Sequence, residues 1–149
     1  MEIERKYLID LESVPFDYKS YPAKVIEQGY LSTDPVVRVR KSNDKYILTY
    51  KGKGEIEREE YNLPLTKEAY EHLVKKSDGR IIKKIRYNIP YKEKYLIELD
   101  VFLGDLEPLV VAEVEFESRQ EADTFVPPDW FGEDVSTDNR YKNSYLSQK

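Results

Sequence analysis

Charged side chains recur at every second position along most of this chain, and on seven separate stretches they share one phase while aliphatic and aromatic residues take the other. Neighbouring side chains on a strand point to opposite faces, so this alternation specifies a β-rich chain and fixes which residues share a face. Strands are expected near 2–10, 24–33, 35–42, 45–52, 56–63, 80–90, 93–103 and 109–117. Turn signals at Thr33-Asp34-Pro35, Ser42-Asn43-Asp44, Lys51-Gly52-Lys53-Gly54 and Pro90-Tyr91-Lys92 link several of them closely, which favours antiparallel hairpins. Helices enter late. Thr66 can cap a helix over Lys67–Lys76 that ends at Ser77-Asp78-Gly79, and Ser118 opens a second that Pro127-Pro128 stops. Asp138 opens a third segment with Tyr141 and Tyr145 on one face. Residues 11–23 read as a loop, or a loop with one helical turn, and no repeat or linker divides residues 1–149 into more than one domain.

The charged phase can be written out strand by strand. Glu2, Glu4 and Lys6 oppose Ile3, Arg5 and Tyr7. Arg38 and Arg40 oppose Val37 and Val39, and Thr49 and Lys51 oppose Leu48 and Tyr50. Arg58 and Glu60 oppose Tyr61 and Leu63, and Lys84 and Arg86 oppose Ile85 and Tyr87. Glu98 and Asp100 oppose Ile97, Leu99 and Val101. Glu113, Glu115 and Glu117 oppose Ala112, Val114 and Phe116, with Glu117 near the solvent at the strand end. Gln28 and Tyr30 occupy the same phase on the second strand.

One such face alone is the solvated side of an ordinary antiparallel sheet. Together the faces hold four Arg, three Lys and eight carboxylates, with Arg exceeding Lys in a chain that is otherwise Lys-rich. Arg is the side chain suited to bidentate grip on anions, and an eight-stranded barrel has room for a small ligand inside. The expectation is therefore a mainly β (α+β) fold: an eight-stranded antiparallel barrel whose charged phase lines a tunnel, with a few peripheral helices.

Composition removes most other chemistry. The chain has no Cys and one His, His72, which excludes thiolate sites, Cys nucleophiles and multi-histidine metal centres. His72 itself reads as a surface residue. Lys51-Gly52-Lys53-Gly54 lacks phosphate-loop spacing and reads as a hairpin turn. No apolar run reaches membrane-span length, and the charged start Met1–Lys6 is unlike an export signal, so a cytoplasmic protein is expected. A net charge of −5 argues against nucleic acid or an anionic membrane as partner. Trp130-Phe131, between Pro128 and Gly132, reads as a structural plug at one barrel end.

Glu2-Ile3-Glu4-Arg5-Lys6 fits the ExExK signature of the CYTH superfamily, the triphosphate tunnel metalloenzymes. Gln28-Gly29-Tyr30-Leu31, Val37-Arg38-Val39-Arg40, Thr49-Tyr50-Lys51-Gly52, Arg58-Glu59-Glu60, Lys84-Ile85-Arg86, Glu98-Leu99-Asp100 and Glu113-Val114-Glu115-Phe116 follow in an order that resembles that family over nearly the whole chain. Arg140-Tyr141-Lys142-Asn143 resembles its small bacterial members, in which Lys142 would lie near the tunnel mouth. The resemblance implies a triphosphate hydrolase using Mg²⁺ or Mn²⁺. Lys6, Arg38, Arg40, Lys51, Arg58, Lys84 and Arg86 would clamp a small polyanionic substrate, tripolyphosphate first among them. Glu2, Glu4, Glu113 and Glu115 would hold the metal. Glu60, Glu98, Asp100 or a neutral Lys84 would orient or deprotonate the attacking water, a choice left open. The alternatives are a class IV adenylyl cyclase, a nucleoside or thiamine triphosphatase, and a polyphosphate-binding module without catalysis.

Overall fold

The computed structural model describes residues 1–148. Ten strands form: β1 (Glu2–Ile9), β2 (Ala23–Thr33), β3 (Val36–Ser42), β4 (Lys45–Lys51), β5 (Glu57–Arg58), β6 (Glu60–Pro64), β7 (Asp78–Tyr91), β8 (Tyr95–Phe102), β9 (Val110–Glu115) and β10 (Phe131–Asp134). Three short helices accompany them: α1 (Lys67–Val74), α2 (Arg119–Thr124) and α3 (Asn143–Leu146). All strand pairings are antiparallel, in the order β10-β1-β9-β8-β7-β2-β3-β4-β6.

The expected strand at 56–63 divides at Glu59. Its second part pairs with β4, while its first part pairs with β1 through Glu2↔Arg58 and Ile3↔Glu57. The main sheet therefore does not close on itself by a continuous ladder. The residue break at Glu59 lets one segment reach both β4 and β1, and only the two-residue β5 ladder bridges the gap.

Other boundaries moved for local reasons. α1 stops at Val74, and Asp78-Gly79 begins β7 instead of ending the helix. Gly79 adopts φ 68°, and a Cβ there would run into the Ser147 carbonyl, so the strand start also docks the C-terminal segment. β8 starts at Tyr95 because Lys92 and Glu93 form a turn at φ 52° and 56°. Thr66 and Ser118 cap α1 and α2 as expected, accepting from the N–H groups of Ala69 and Glu121. Residues 11–23 contain two single 3₁₀ turns, Leu11–Ser13 and Tyr18–Ser20. The expected third helix resolves into a 3₁₀ turn at Asn139–Tyr141 followed by α3. His72 is exposed on α1.

The apolar phase lies on the outer face of the sheet. Ile3, Tyr7, Tyr87, Ile97, Leu99, Val114 and Phe116 form a buried cluster there, covered by the 11–22 loop, α2 and the Trp130 turn. Trp130 and Phe131 belong to this outer layer. Phe131 opens β10 and packs on Tyr7, with Trp130 against Phe16. They are not the plug expected at one end of the charged interior. That end is closed by a second apolar cluster in the charged phase itself: Tyr30, Val36, Ile82, Phe102 and Val111, joined by Leu8 and Leu146. Coverage of the outer face is incomplete, since Tyr61 and Leu63 on β6 are both 58% exposed. Among the described residues no helix is long and apolar enough to cross a membrane.

Truncating Leu99, wholly buried in the outer cluster, to Ala should cost about 2–5 kcal/mol and lower the melting temperature by about 5–15 °C. Leu63→Ala, at an exposed site, should shift it by less than about 2 °C. Thermal unfolding followed by circular dichroism checks both.

Candidate active site

The inner phase of the curled sheet surrounds a cavity of about 230 Å³. Glu2, Glu4, Lys6, Arg38, Arg40, Lys51, Arg58, Glu60, Arg86, Glu98, Glu113 and Glu115 all line it. Thus twelve of the fourteen expected site residues converge on one space, from β1, β3, β4, β5, β6, β7, β8 and β9. Lys84 and Asp100 do not line it. Both are wholly buried in the layer behind, nearer the apolar end.

Asp100 holds that layer together. Lys84 Nζ donates to its Oδ2 at 2.6 Å, and Arg86 grips both oxygens from Nε and Nη2 at 2.7 and 2.9 Å. Arg86 Nη1 also donates to Glu98 Oε2 at 3.2 Å. Burial pushes the Asp100 carboxyl up, but Arg86 and Lys84 outweigh it and hold it below the usual range. Burial depresses Lys84 to about 7, with Asp100 opposing and Arg86 and Arg40 adding to the depression.

Two further groups are internally paired. Glu2 meets Lys51 Nζ at 2.9 Å and Arg58 Nε at 3.4 Å, with Glu60 3.4 Å from the same lysine. Lys6 Nζ donates to the Tyr141 carbonyl at 3.0 Å and lies 3.7 Å from Glu113. Burial raises Glu113, but Lys6, Arg86 and Lys84 together hold it well below its ordinary value. Glu98 is raised, first by burial, against the pull of Arg86.

The remaining four of these twelve, Glu4, Glu115, Arg38 and Arg40, have no ion-pair partner among the described residues. Glu4 and Glu115 face each other directly across the β1–β9 ladder. Like charges at such positions are destabilising. Glu4 is pushed up to about 8 by burial, then by Glu113 and Glu2, and Glu115 is raised by burial and then by Glu2 and Glu60. Arg38 is buried with an unpaired Nε. Arg40 is lowered to about 9 by burial, then by Arg38 and Arg86. In the strand order three strands, β8, β7 and β2, separate β9 from β3, so the uncompensated acids and arginines stand on opposed walls.

These acids supply only carboxylate oxygens, the donors that suit Mg²⁺ or Mn²⁺. Among the described residues, no group of three or more acids already stands at metal-holding spacing. Glu4 and Glu115 have no ion-pair partner among the described residues, whereas Glu2 and Glu113 are engaged with Lys51, Arg58 and Lys6.

Several lining residues were not singled out from the sequence. Asn62 shares the phase of Glu60 and accepts from Thr49 Oγ1 at 2.7 Å, so the alternation could have found it. Val135 and Ser136 come from an irregular segment in which no period applies, and Asn143 and Ser144 from the four-residue α3, too short to show a period. Ser136 Oγ accepts from the Lys6 N–H at 2.9 Å, which ties this segment to β1. Lys142 lies among the lining residues, its ammonium lowered by burial and then by Arg58.

The CYTH domain pattern matches residues 1–145. The chain is similar to an inorganic triphosphatase of Nitrosomonas europaea, 40% identical over 149 residues that make up 98% of this chain and 96% of that one. It is similarly 40% identical to an inorganic triphosphatase of Acetivibrio thermocellus, over 97% of this chain and 92% of the other. A crystal structure of an inorganic triphosphatase, 39% identical, superposes over 100% of this chain and 95% of its own with a TM-score of 0.71.

A pH signature follows from Glu4. Its folded value of about 8 exceeds the ordinary 4.5. Between those limits the folded chain keeps a proton that the unfolded chain releases, so this group makes stability fall as pH rises from about 4.5 to 8. Glu4→Gln removes the dependence. In ligand-free protein the variant should melt above wild type, by a margin that widens across that window, as thermal melts at stepped pH will check.

Proposed function

The chain belongs to the CYTH domain family, and from that membership together with the charged cavity we propose that it hydrolyses inorganic tripolyphosphate to pyrophosphate and phosphate with the help of a divalent cation. The observation that carries the reading is the pair of opposed uncompensated walls, Arg38 with Arg40 and Glu4 with Glu115. A linear triphosphate carries adjacent negative oxygens along its length. Arg38 and Arg40 have guanidinium donors free for them, and Arg86, Lys51, Arg58 and Lys6 extend the clamp around the cavity. Phosphoryl transfer needs chiefly positioning and electrostatic stabilisation, so the lack of a Ser or Cys nucleophile is no obstacle.

The donor set fits Mg²⁺ or Mn²⁺. Glu4 and Glu115 would hold the cation, with Glu2 and Glu113 joining when substrate draws Lys51, Arg58 and Lys6 towards its phosphates. A cation so held would supply charge neutralisation at the phosphate oxygens and polarisation of the phosphoryl group. A water attacks the terminal phosphorus, the bridging P–O bond breaks, and pyrophosphate leaves with the bond's electron pair. Glu98 and Glu60 face the cavity and can take the proton. Glu98 is the better placed of the two, because its carboxyl is raised and it is aimed by Arg86. Lys84 and Asp100 act from behind by fixing Arg86.

Phosphate release from tripolyphosphate, ATP and thiamine triphosphate, measured side by side with Mg²⁺ and with Mn²⁺, tests this reading. Tripolyphosphate should be cleaved fastest, and excess chelator should abolish turnover. Faster cleavage of ATP, formation of cyclic AMP, or full activity in chelator would each overturn it. Arg38→Ala should lower kcat/KM about tenfold to a hundredfold, the worth of one charge-assisted contact.

A further inference from the structure

Gln28 lies in the middle of β2 with no exposed surface, directly opposite Arg40 on β3 and Ile82 on β7. Its Oε1 accepts from Arg40 Nε at 2.7 Å. Its Nε2 is buried and has no partner. This orientation is forced, since turning the amide over would set two donors against each other. Leaving a buried donor unpaired is unfavourable, and a residue that only filled space, Leu or Met, would avoid that. Glu at the same length would also avoid it and would pair with Arg40.

The other inward cations show what is unusual here. Arg86, Lys84, Lys51, Arg58 and Lys6 each have a carboxylate within ion-pair distance, while Arg38, like Arg40, has none among the described residues. Arg40 has instead a neutral carbonyl dipole on Nε, and its Nη atoms donate no hydrogen bond among the described residues. Burial first, and then Arg38 and Arg86, depress Arg40 to about 9. Gln28 can therefore aim the guanidinium without cancelling its charge.

We infer that Gln28 is a positioning residue for substrate binding: its carbonyl locks Arg40 by Nε and leaves both Nη groups directed at the anionic oxygens of the triphosphate. This rests on the reading of Arg40 as a member of the substrate clamp, and the test separates the two. Gln28→Leu, Gln28→Glu, Arg40→Ala and the double variant Gln28→Leu/Arg40→Ala are compared with wild type for KM and kcat on tripolyphosphate. Thermal melts of each variant, with and without tripolyphosphate, report folding and binding without turnover.

Gln28→Leu should raise KM about tenfold and move kcat by less than about threefold, because it disturbs ground-state binding through aim alone. Gln28→Glu should raise KM at least as much, because the new carboxylate competes with substrate for Arg40. In the Arg40→Ala background, Gln28→Leu should change KM no further, the non-additivity expected of a residue that acts only through its partner. Additive effects would show a structural role and overturn the inference. So would an unchanged KM in both Gln28 variants while Arg40→Ala raises it. If Arg40→Ala itself leaves KM unchanged, the clamp reading of Arg40 falls and the inference with it. Should Gln28→Leu fail to fold, Gln28→Glu, which keeps length and polarity, decides: a wild-type KM contradicts the inference and a raised KM upholds it.

Discussion

The carboxylate of Asp100, wholly buried and gripped at once by Lys84 and Arg86, is the interaction on which the inner face depends. Burying an ion costs several kcal/mol unless it is paired and hydrogen-bonded. Here one acid satisfies two cations, and Arg86 passes the constraint on to Glu98 at the cavity wall. The Glu2–Lys51–Arg58 and Lys6–Glu113 groups stabilise their strands in the same way. Because so much of the face is compensated internally, the exceptions stand out. Arg38 and Arg40 keep charge with no counterion, and Glu4 and Glu115, both raised above the ordinary carboxyl value, have no cation within ion-pair distance, a condition that a polyanion with its cation would relieve.

The sheet reconciles two incompatible surfaces by curling. Its outer face carries the apolar phase, buried under α2, the 11–22 loop and the Trp130 turn. Its inner phase changes character along the strands, from carboxylates and arginines around the cavity to Leu8, Tyr30, Val36, Ile82, Phe102 and Val111 at one end. Leu146 of α3 completes that cluster, so the C-terminal segment helps to close the charged interior as well as lining it through Lys142 and Asn143.

Strand phase made most of this legible in the sequence. Period-two alternation is enforced by the backbone, so Arg38 and Arg40, or Glu113 and Glu115, could be assigned to one face without knowing the fold. Phase gives no depth along the strand. It could not separate Lys84 and Asp100, behind the cavity, from Arg86 and Glu98 on its wall. Nor could it see the break at Glu59, which depends on two different strands competing to pair with one segment. β10 was missed because four residues carry too little periodicity, and Trp130-Phe131 suggested bulk without saying on which side of the sheet it packs. Ser136 reaches the site from irregular chain and Asn143 from a four-residue helix, where spacing carries too little information about direction.

A linear clamp with uncompensated charge should select a polyanion by its length. Thermal melts of metal-free protein in equal concentrations of orthophosphate, pyrophosphate and tripolyphosphate test it most directly. A ligand that binds only the folded state at a hundredfold excess over its Kd stabilises by about 2.7 kcal/mol, or roughly 5–10 °C for a domain of this size. Tripolyphosphate should raise the melting temperature most and orthophosphate least. Equal shifts from the three anions would mean that the basic groups form a diffuse patch, and would contradict it.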